Sequence, residues 1–262
     1  MSSQDISMRE LLEAGAHFGH QSRRWNPKMK PFIYQSRDNI HVIDLALTAS
    51  GLREACEYIH DLAAEGGTVL FVATKRQAKE LVKKAAQDCG MPFIVERWVG
   101  GMLTNWDIIQ KNMDRLRATK AQQASGDLEH YTKKEQSLMM KEADRLEKIY
   151  EGLLDINKIP DAIFIVDVRK EKIGLKESKR RNIPVIGVCD TNCDPSEVDI
   201  VIPANDDALK SIEYIVTKVS DAANSGKKTA GAKANDKDKN ETIEKLKDEK
   251  PKKTTKKKED SK

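Results

Sequence analysis

No stretch of the chain approaches the roughly 20 consecutive apolar residues that a membrane-spanning helix needs. Met1 to Leu12 alternates polar, charged and apolar residues where a secretory signal would hold a continuous apolar run. Cysteine is scarce: Cys56, Cys89, Cys189 and Cys193 form no Cys-x-x-Cys pair, and a chain of 262 residues does not need disulfide staples. A reducing cytosol is the simplest reading. Glycine-rich phosphate loops are missing too, because no Gly-x-Gly-x-x-Gly follows a strand-like run and no Gly-x-x-x-x-Gly-Lys-Ser/Thr occurs anywhere. Gly66-Gly67 precede a strand and stand at its wrong end. Without a Gly-x-Ser-x-Gly elbow, or a His placed beside a Ser or Cys nucleophile, nucleophilic catalysis has little support.

Positive charge is also scarcer on the body than the total suggests. The formal net charge is +4, but residues 226–262 hold 14 Lys against 8 Asp plus Glu, so the body before them stands near −2. Global basicity therefore says nothing about nucleic acid, and only local clusters can. That terminal stretch has almost nothing apolar to bury, which predicts a disordered Lys-rich tail over 226–262.

What is present is alternation. Short apolar runs at 68–73, 93–95, 162–166, 185–189 and 200–202 suit strands buried on both faces of a parallel sheet. Amphipathic stretches at 49–65, 75–89, 171–182 and 207–222 supply helices, so the pattern predicts a doubly wound α/β fold with a five-stranded parallel sheet. Before it, 32–34 and 40–43 flank a polar 35–39, an N-terminal hairpin with a longer loop that would cap one sheet edge. Residues 103–153 are too long for a loop and one helix. Met139, Ala143, Leu146, Tyr150 and Leu153 step by four and three, Ile109, Met113 and Leu116 form an earlier seam, and Ser125-Gly126-Asp127 breaks the pattern between them. This predicts an inserted antiparallel coiled-coil helical hairpin. The α/β globular domain would then comprise 1–102 and 154–225.

Four groups of residues compete for function. Thr74-Lys75-Arg76-Gln77 follows a strand, and Thr74 capping a helix beside Lys75 and Arg76 would suit a phosphate, or simply be a capped helix start. A metal would need a tertiary approach of His17-x-x-His20 to Cys189-Asp-Thr-Asn-Cys-Asp194, and Asp194-Pro-Ser-Glu197 is already accounted for as a capped turn. In 20–32, Arg23, Arg24, Lys28 and Lys30 surround Trp25 and Asn26 with no acid, and two prolines argue for an extended backbone. Cations along a phosphate track beside a stacking ring make this the best local case for RNA, against a plain solvated loop. In 96–106, Gly100-Gly101 permit a tight turn, Thr104 or Asn105 can cap the next helix, Trp98 and Trp106 pack the root of the hairpin, and Arg97 is left for phosphate.

Arg24-Trp-Asn-Pro-Lys-Met-Lys-Pro-Phe32 after His17-Phe-Gly-His20, Arg97-Trp-Val-Gly-Gly-Met-Leu-Thr-Asn-Trp106, Phe71-Val-Ala-Thr-Lys-Arg76, Pro160-Asp-Ala, Val188-Cys-Asp-Thr-Asn192 and Val201-Ile-Pro-Ala-Asn-Asp-Asp-Ala208 occur in the order of a known family. Over residues 7 to about 222 the chain resembles ribosomal small-subunit protein 2, in the bacterial form that carries the helical insertion. The resemblance implies a flavodoxin-like sheet with a protruding coiled coil, a non-enzymatic role without cofactor or small-molecule substrate, and docking on 16S ribosomal RNA where head and body of the small subunit meet. It also implies that the protein helps hold ribosomal small-subunit protein 1 and touches small-subunit proteins 3, 5 and 8. Cys189, Cys193 and the Lys-rich tail depart from the family pattern. Two rivals stand beside it: an enzyme using a crevice around Thr74, Asp167 and Asp190, and a protein-docking adaptor whose arm is the helical hairpin.

Overall fold

A computed structural model describes the backbone of residues 6–248, and side chains as far as Gly231 apart from Glu129. The chain opens with α1 (Met8–Glu13), whose start is capped by the Ser7 hydroxyl. β1 (Phe18–Gln21), β2 (Ile33–Arg37) and β3 (Ile40–Ile43) form an antiparallel sheet of order β1-β3-β2. Asp38 and Asn39 both take positive φ, 50° and 62°, so β2 and β3 meet in a two-residue turn and the longer loop expected over 35–39 is replaced by strand. Among the described residues this small sheet is separate and pairs with no edge of the large one.

α2 (Leu45–Ala64) leads into β4 (Val69–Val72), α3 (Lys79–Asp88) and β5 (Phe93–Ile94). Two long helices follow, α4 (Trp106–Ser125) and α5 (Lys133–Tyr150). Gly126 ends α4 in the left-handed region, and Thr132 with Glu135 starts α5 in a reciprocal capping box. Ile109, Met113 and Leu116 of α4 and Ala143, Leu146 and Tyr150 of α5 are buried in one cluster, with ion pairs Arg115–Glu142 and Lys120–Glu147 running between the helices. The chain finishes with β6 (Ala162–Val166), α6 (Lys172–Arg181), β7 (Val185–Cys189), β8 (Ile200–Pro203) and α7 (Leu209–Asp248).

The five later strands are all parallel in the order β5-β4-β6-β7-β8. Numbered from the first parallel strand this is 2-1-3-4-5, the flavodoxin-like arrangement, in which the crossover direction reverses between β4 and β6. Alternation along the strands sends Val69, Phe71, Phe164, Ile186 and Ile202 into a core shared with α2, α3 and α7. Leu70, Val72, Ile163, Ile165 and Val185 enter a second core on the other face with the root of the helical hairpin, α6 and Met29.

α7 runs into the stretch from residue 226 for which composition predicts disorder. The helix continues to Asp248 because Ala, Lys and Glu satisfy the backbone locally without Pro, while residues 249–262 lie outside the described residues. Its packing also runs past 225: Ala222, Ala223 and Gly226 are buried, and a Cβ on Gly226 would run into the His60 carbonyl of α2. Gly231, five residues on, has nothing within 4 Å of that position. Gly226→Ala should therefore cost about 1–3 kcal/mol in urea unfolding by overpacking, whereas Gly231→Ala should be neutral or gain about 0.5–1 kcal/mol. Equal effects would mean that α7 leaves α2 before 226.

Candidate nucleic-acid interface

The basic segment after β1 is pinned from below. Asn26 donates its amide to the Thr191 carbonyl at 2.8 Å, and its side-chain oxygen accepts from the Lys28 amide at 3.0 Å. Met29 is fully buried in the second core with its sulfur 3.9 Å from Cys193 Sγ. Two short 3-10 turns, Ser22–Arg24 and Pro27–Phe32, replace the extended backbone that the prolines suggested. Pro27 sits at the first position of its turn, where its fixed φ helps and no amide is needed, and the Asn26 cap does the rest.

With Met29 turned in, the cations turn out. Arg23, Arg24, Lys28 and Lys30 are all exposed, and Trp25 is half-buried with its ring 5.0 Å from that of His41. Arg23 donates to the Gln21 side chain at 3.0 Å. Lys28 bonds Asp194 at 2.7 Å and Ser196 at 2.9 Å, and it is the Lys28 ammonium, helped by the Ser196 hydroxyl, that holds the Asp194 carboxyl below the usual range. Exposed forks and ammonium groups on a fixed turn can meet successive phosphates without having to order a loop first.

The loop after β4 is arranged differently from its sequence reading. α3 begins at Lys79 with no side-chain cap, and Thr74 instead gives both its amide and its hydroxyl to the Glu171 carboxylate. The amide that would have cradled a phosphate is already taken by an acid of this chain, and burial pushes that acid's pKa up against the opposing pull of Thr74. Lys75 is largely enclosed and lies 2.7 Å from Asp206, 2.6 Å from Asp207 and 3.5 Å from Asp167. Burial works against its charge, but Asp206, Asp207 and Asp167 outweigh burial and hold the ammonium well above its ordinary value. Lys75 is thereby paired with carboxylates of the chain itself, while Arg76 beside it stays exposed.

Around Lys75 the carboxyl ends of the strands gather acids. His20 Nδ1 lies 2.9 Å from Asp190 and Nε2 3.4 Å from Asp207, and the hydrogen bond to Asp190 raises the imidazole pKa. Burial together with Asp167 and Asp190 pushes Asp206 up to about 7 even though Lys75 pulls the other way. His20, Asp190, Asp206 and Asp207 offer one ligand atom each within 4.8 Å of one another, a donor set of the kind a divalent cation takes. The cysteines contribute nothing to it. Cys193 is buried with its thiol pushed up by the neighbouring Cys189 and by burial, and its sulfur faces Met29. His17 is also outside the group, so of the two sequence clusters only His20 and Asp190 enter this donor set.

Glu177, which the sequence did not mark, organises the loop that carries Arg97. Its buried carboxylate accepts from Trp98 Nε1, the amides of Gly101, Leu103 and Thr104, and the Thr104 hydroxyl, at 2.8–3.2 Å. Burial alone would raise its pKa, but these donors prevail and lower it. Arg181, one turn on, takes the Leu103 and Thr104 carbonyls, so Asn105 begins α4 without a side-chain cap. Trp98 and Trp106 are buried at the root of the hairpin, and Arg97 is left exposed. Only a glutamate's position in a run of lysines signals any of this, because its partners are backbone amides that sequence does not display.

A carboxylate with a lowered folded pKa stabilises above its unfolded pKa and loses that contribution as pH falls through the folded value. Glu177→Ala should cost about 3–5 kcal/mol in urea unfolding at neutral pH, since it strands buried donors. Glu177→Gln should cost less and flatten the acid limb below about pH 4.5. A wild-type acid limb in Glu177→Gln would exclude the carboxylate as the group responsible.

Because the five strands are parallel, Arg76 after β4, Arg97 after β5 and the Asp190–Asp194 turn beneath Lys28 all leave the sheet at its carboxyl edge. That edge is where a doubly wound fold binds its ligand, at the reversal between β4 and β6. Here Glu171, Thr74, Lys75 and Asp167 fill the reversal point with bonds to one another. The family model described as ribosomal protein S2 matches residues 11–226, from α1 through all eight strands and the helical hairpin into the packed part of α7. The chain belongs to the ribosomal protein S2 family, and is thus a structural protein of the small ribosomal subunit and not an enzyme.

Proposed function

We propose that this protein docks on 16S ribosomal RNA where the head and body of the small subunit meet, gripping phosphates with Arg23, Arg24, Lys28, Lys30, Arg76 and Arg97 while Trp25 offers a ring face. The observation that carries this reading is the Arg23–Lys30 turn, whose apolar residue is locked into the core while every cation faces solvent. Phosphate contacts of this kind position a protein, and RNA shape supplies the selectivity. Lys75 serves it indirectly, tying Asp206 and Asp207 to the β4 loop next to Arg76. In the same reading the helical hairpin is a coiled-coil arm toward neighbouring proteins. The protein helps hold ribosomal small-subunit protein 1, touches small-subunit proteins 3, 5 and 8, and works on cytoplasmic ribosomes.

Arg24 and Lys28 changed together to Ala should lower occupancy in small subunits isolated on sucrose gradients. The same pair should flatten the dependence of log K on log salt for 16S RNA by about 1.5 units, the value for two lost phosphate contacts. Both residues are exposed, so thermal unfolding should barely move. Unchanged occupancy and slope would overturn the assignment.

A further inference from the structure

α6 presents a row of exposed cations, and nothing in the assignment above uses it. At 100° per residue, Lys172, Lys176, Lys179 and Arg180 fall within an arc of about 100°, and Arg169 precedes them in the turn after β6. All five are exposed, and none makes an ion pair with any described residue. The stretch contains two acids, and both are withdrawn from that face: Glu171 is buried on Thr74, and Glu177 is buried on the Gly101–Thr104 loop. The opposite side of the helix carries Leu175 and Ser178 into the second core, and Gly174 lies so close to the Trp98 ring that a Cβ there would stand 3.1 Å from it. The helix is therefore fixed in rotation, with its cations held outward.

We infer that this face of α6 is a second RNA-backbone contact, in which Lys172, Lys176 and Arg180 meet successive phosphates. The inference rests on reading the chain as an RNA-bound protein and adds to it a surface. Charge complementarity identifies the occupant. Three cations at spacings of four residues span about 12 Å along the helix, a length over which a nucleic-acid strand presents several charges. Neither Glu171 nor Glu177 lies on that face to repel them. The surface lies on the same side of the sheet as Met29, which anchors the Arg23–Lys30 turn, so one RNA element can engage both.

The test is Lys172→Gln/Lys176→Gln/Arg180→Gln in the full chain, titrated against protein-free 16S RNA from about 0.05 to 0.3 M salt. The Arg24→Ala/Lys28→Ala pair and an opposite-face control, Arg53→Gln/Lys84→Gln/Lys210→Gln, run in parallel. Glutamine keeps helix propensity close to that of lysine and arginine, and equal melting temperatures would show that folding is intact. The expected result is a salt slope flatter by about 2 units and affinity roughly tenfold or more lower near 0.1 M salt, with little change in the control. A wild-type slope in the α6 variant beside a reduced one in the Arg24/Lys28 pair would overturn this inference and leave the proposed function standing. In that case, loss of the variant from small subunits would mean that the face meets an acidic protein. If wild-type and all variants bound with the same shallow slope, the RNA reading itself would fail.

Discussion

The need to cover both faces of a five-stranded parallel sheet governs the rest of the structure. Val69 and Phe71 point into one core and Leu70 and Val72 into the other, so each face has to be roofed by apolar side chains. α2, α3 and α7 roof the first face. The second is roofed by the root of the helical hairpin, α6, and the single side chain of Met29. Removing the basic turn would open the core, because Met29 is as inaccessible as Phe71. The cations of that turn are held in place by hydrophobic packing, and their own charges add little to it.

Parallel strands also deliver every following loop to one edge, and this concentrates acids as well as cations. Asp167, Asp190, Asp206 and Asp207 would repel one another at that edge if Lys75 and His20 were not among them. Such a network costs desolvation and returns positional definition. In this protein it ties β1, the β4 loop and the β8 end together, and the Thr191 side chain and backbone bind His20 and Asn26 to the same place. A fold whose ligand crevice is commonly open has filled that crevice with its own ions, and its exposed cations stand at the rim.

Much of this was legible in the sequence. Runs such as 162–166 and 185–189 are continuous and apolar because both faces of those strands are buried, and they matched β6 and β7 residue for residue. Short or capped elements were less readable. α1 has six residues and β1 four, too few for a period to emerge. The Thr74 reading failed because a helix start and a loop bonded to a distant glutamate look alike until Glu171 is brought 3.0 Å from the Thr74 amide. The carboxylate partners of Lys75 were hidden in the same way, since they lie 92, 131 and 132 positions away. Proline argued against a helix over 27–32, yet a short 3-10 turn accommodates both Pro27 and Pro31.

The near-neutral body charge can be reconciled with an anionic partner once the acids are located. Glu171, Glu177, Asp190 and Asp206 are all buried, each bonded to amides, hydroxyls or a cation of the chain itself. Arg23, Arg24, Lys30, Arg97 and the outer face of α6 stay in solvent. A charge count weighs these two sets equally, but a partner does not. A buried carboxylate already neutralised by local donors projects little field, and beyond about 8–10 Å ionic screening removes most of what remains. Local sign therefore governs what the surface can meet, and the fold sets that sign by turning acids inward to hold loops and leaving cations outward on rigid turns.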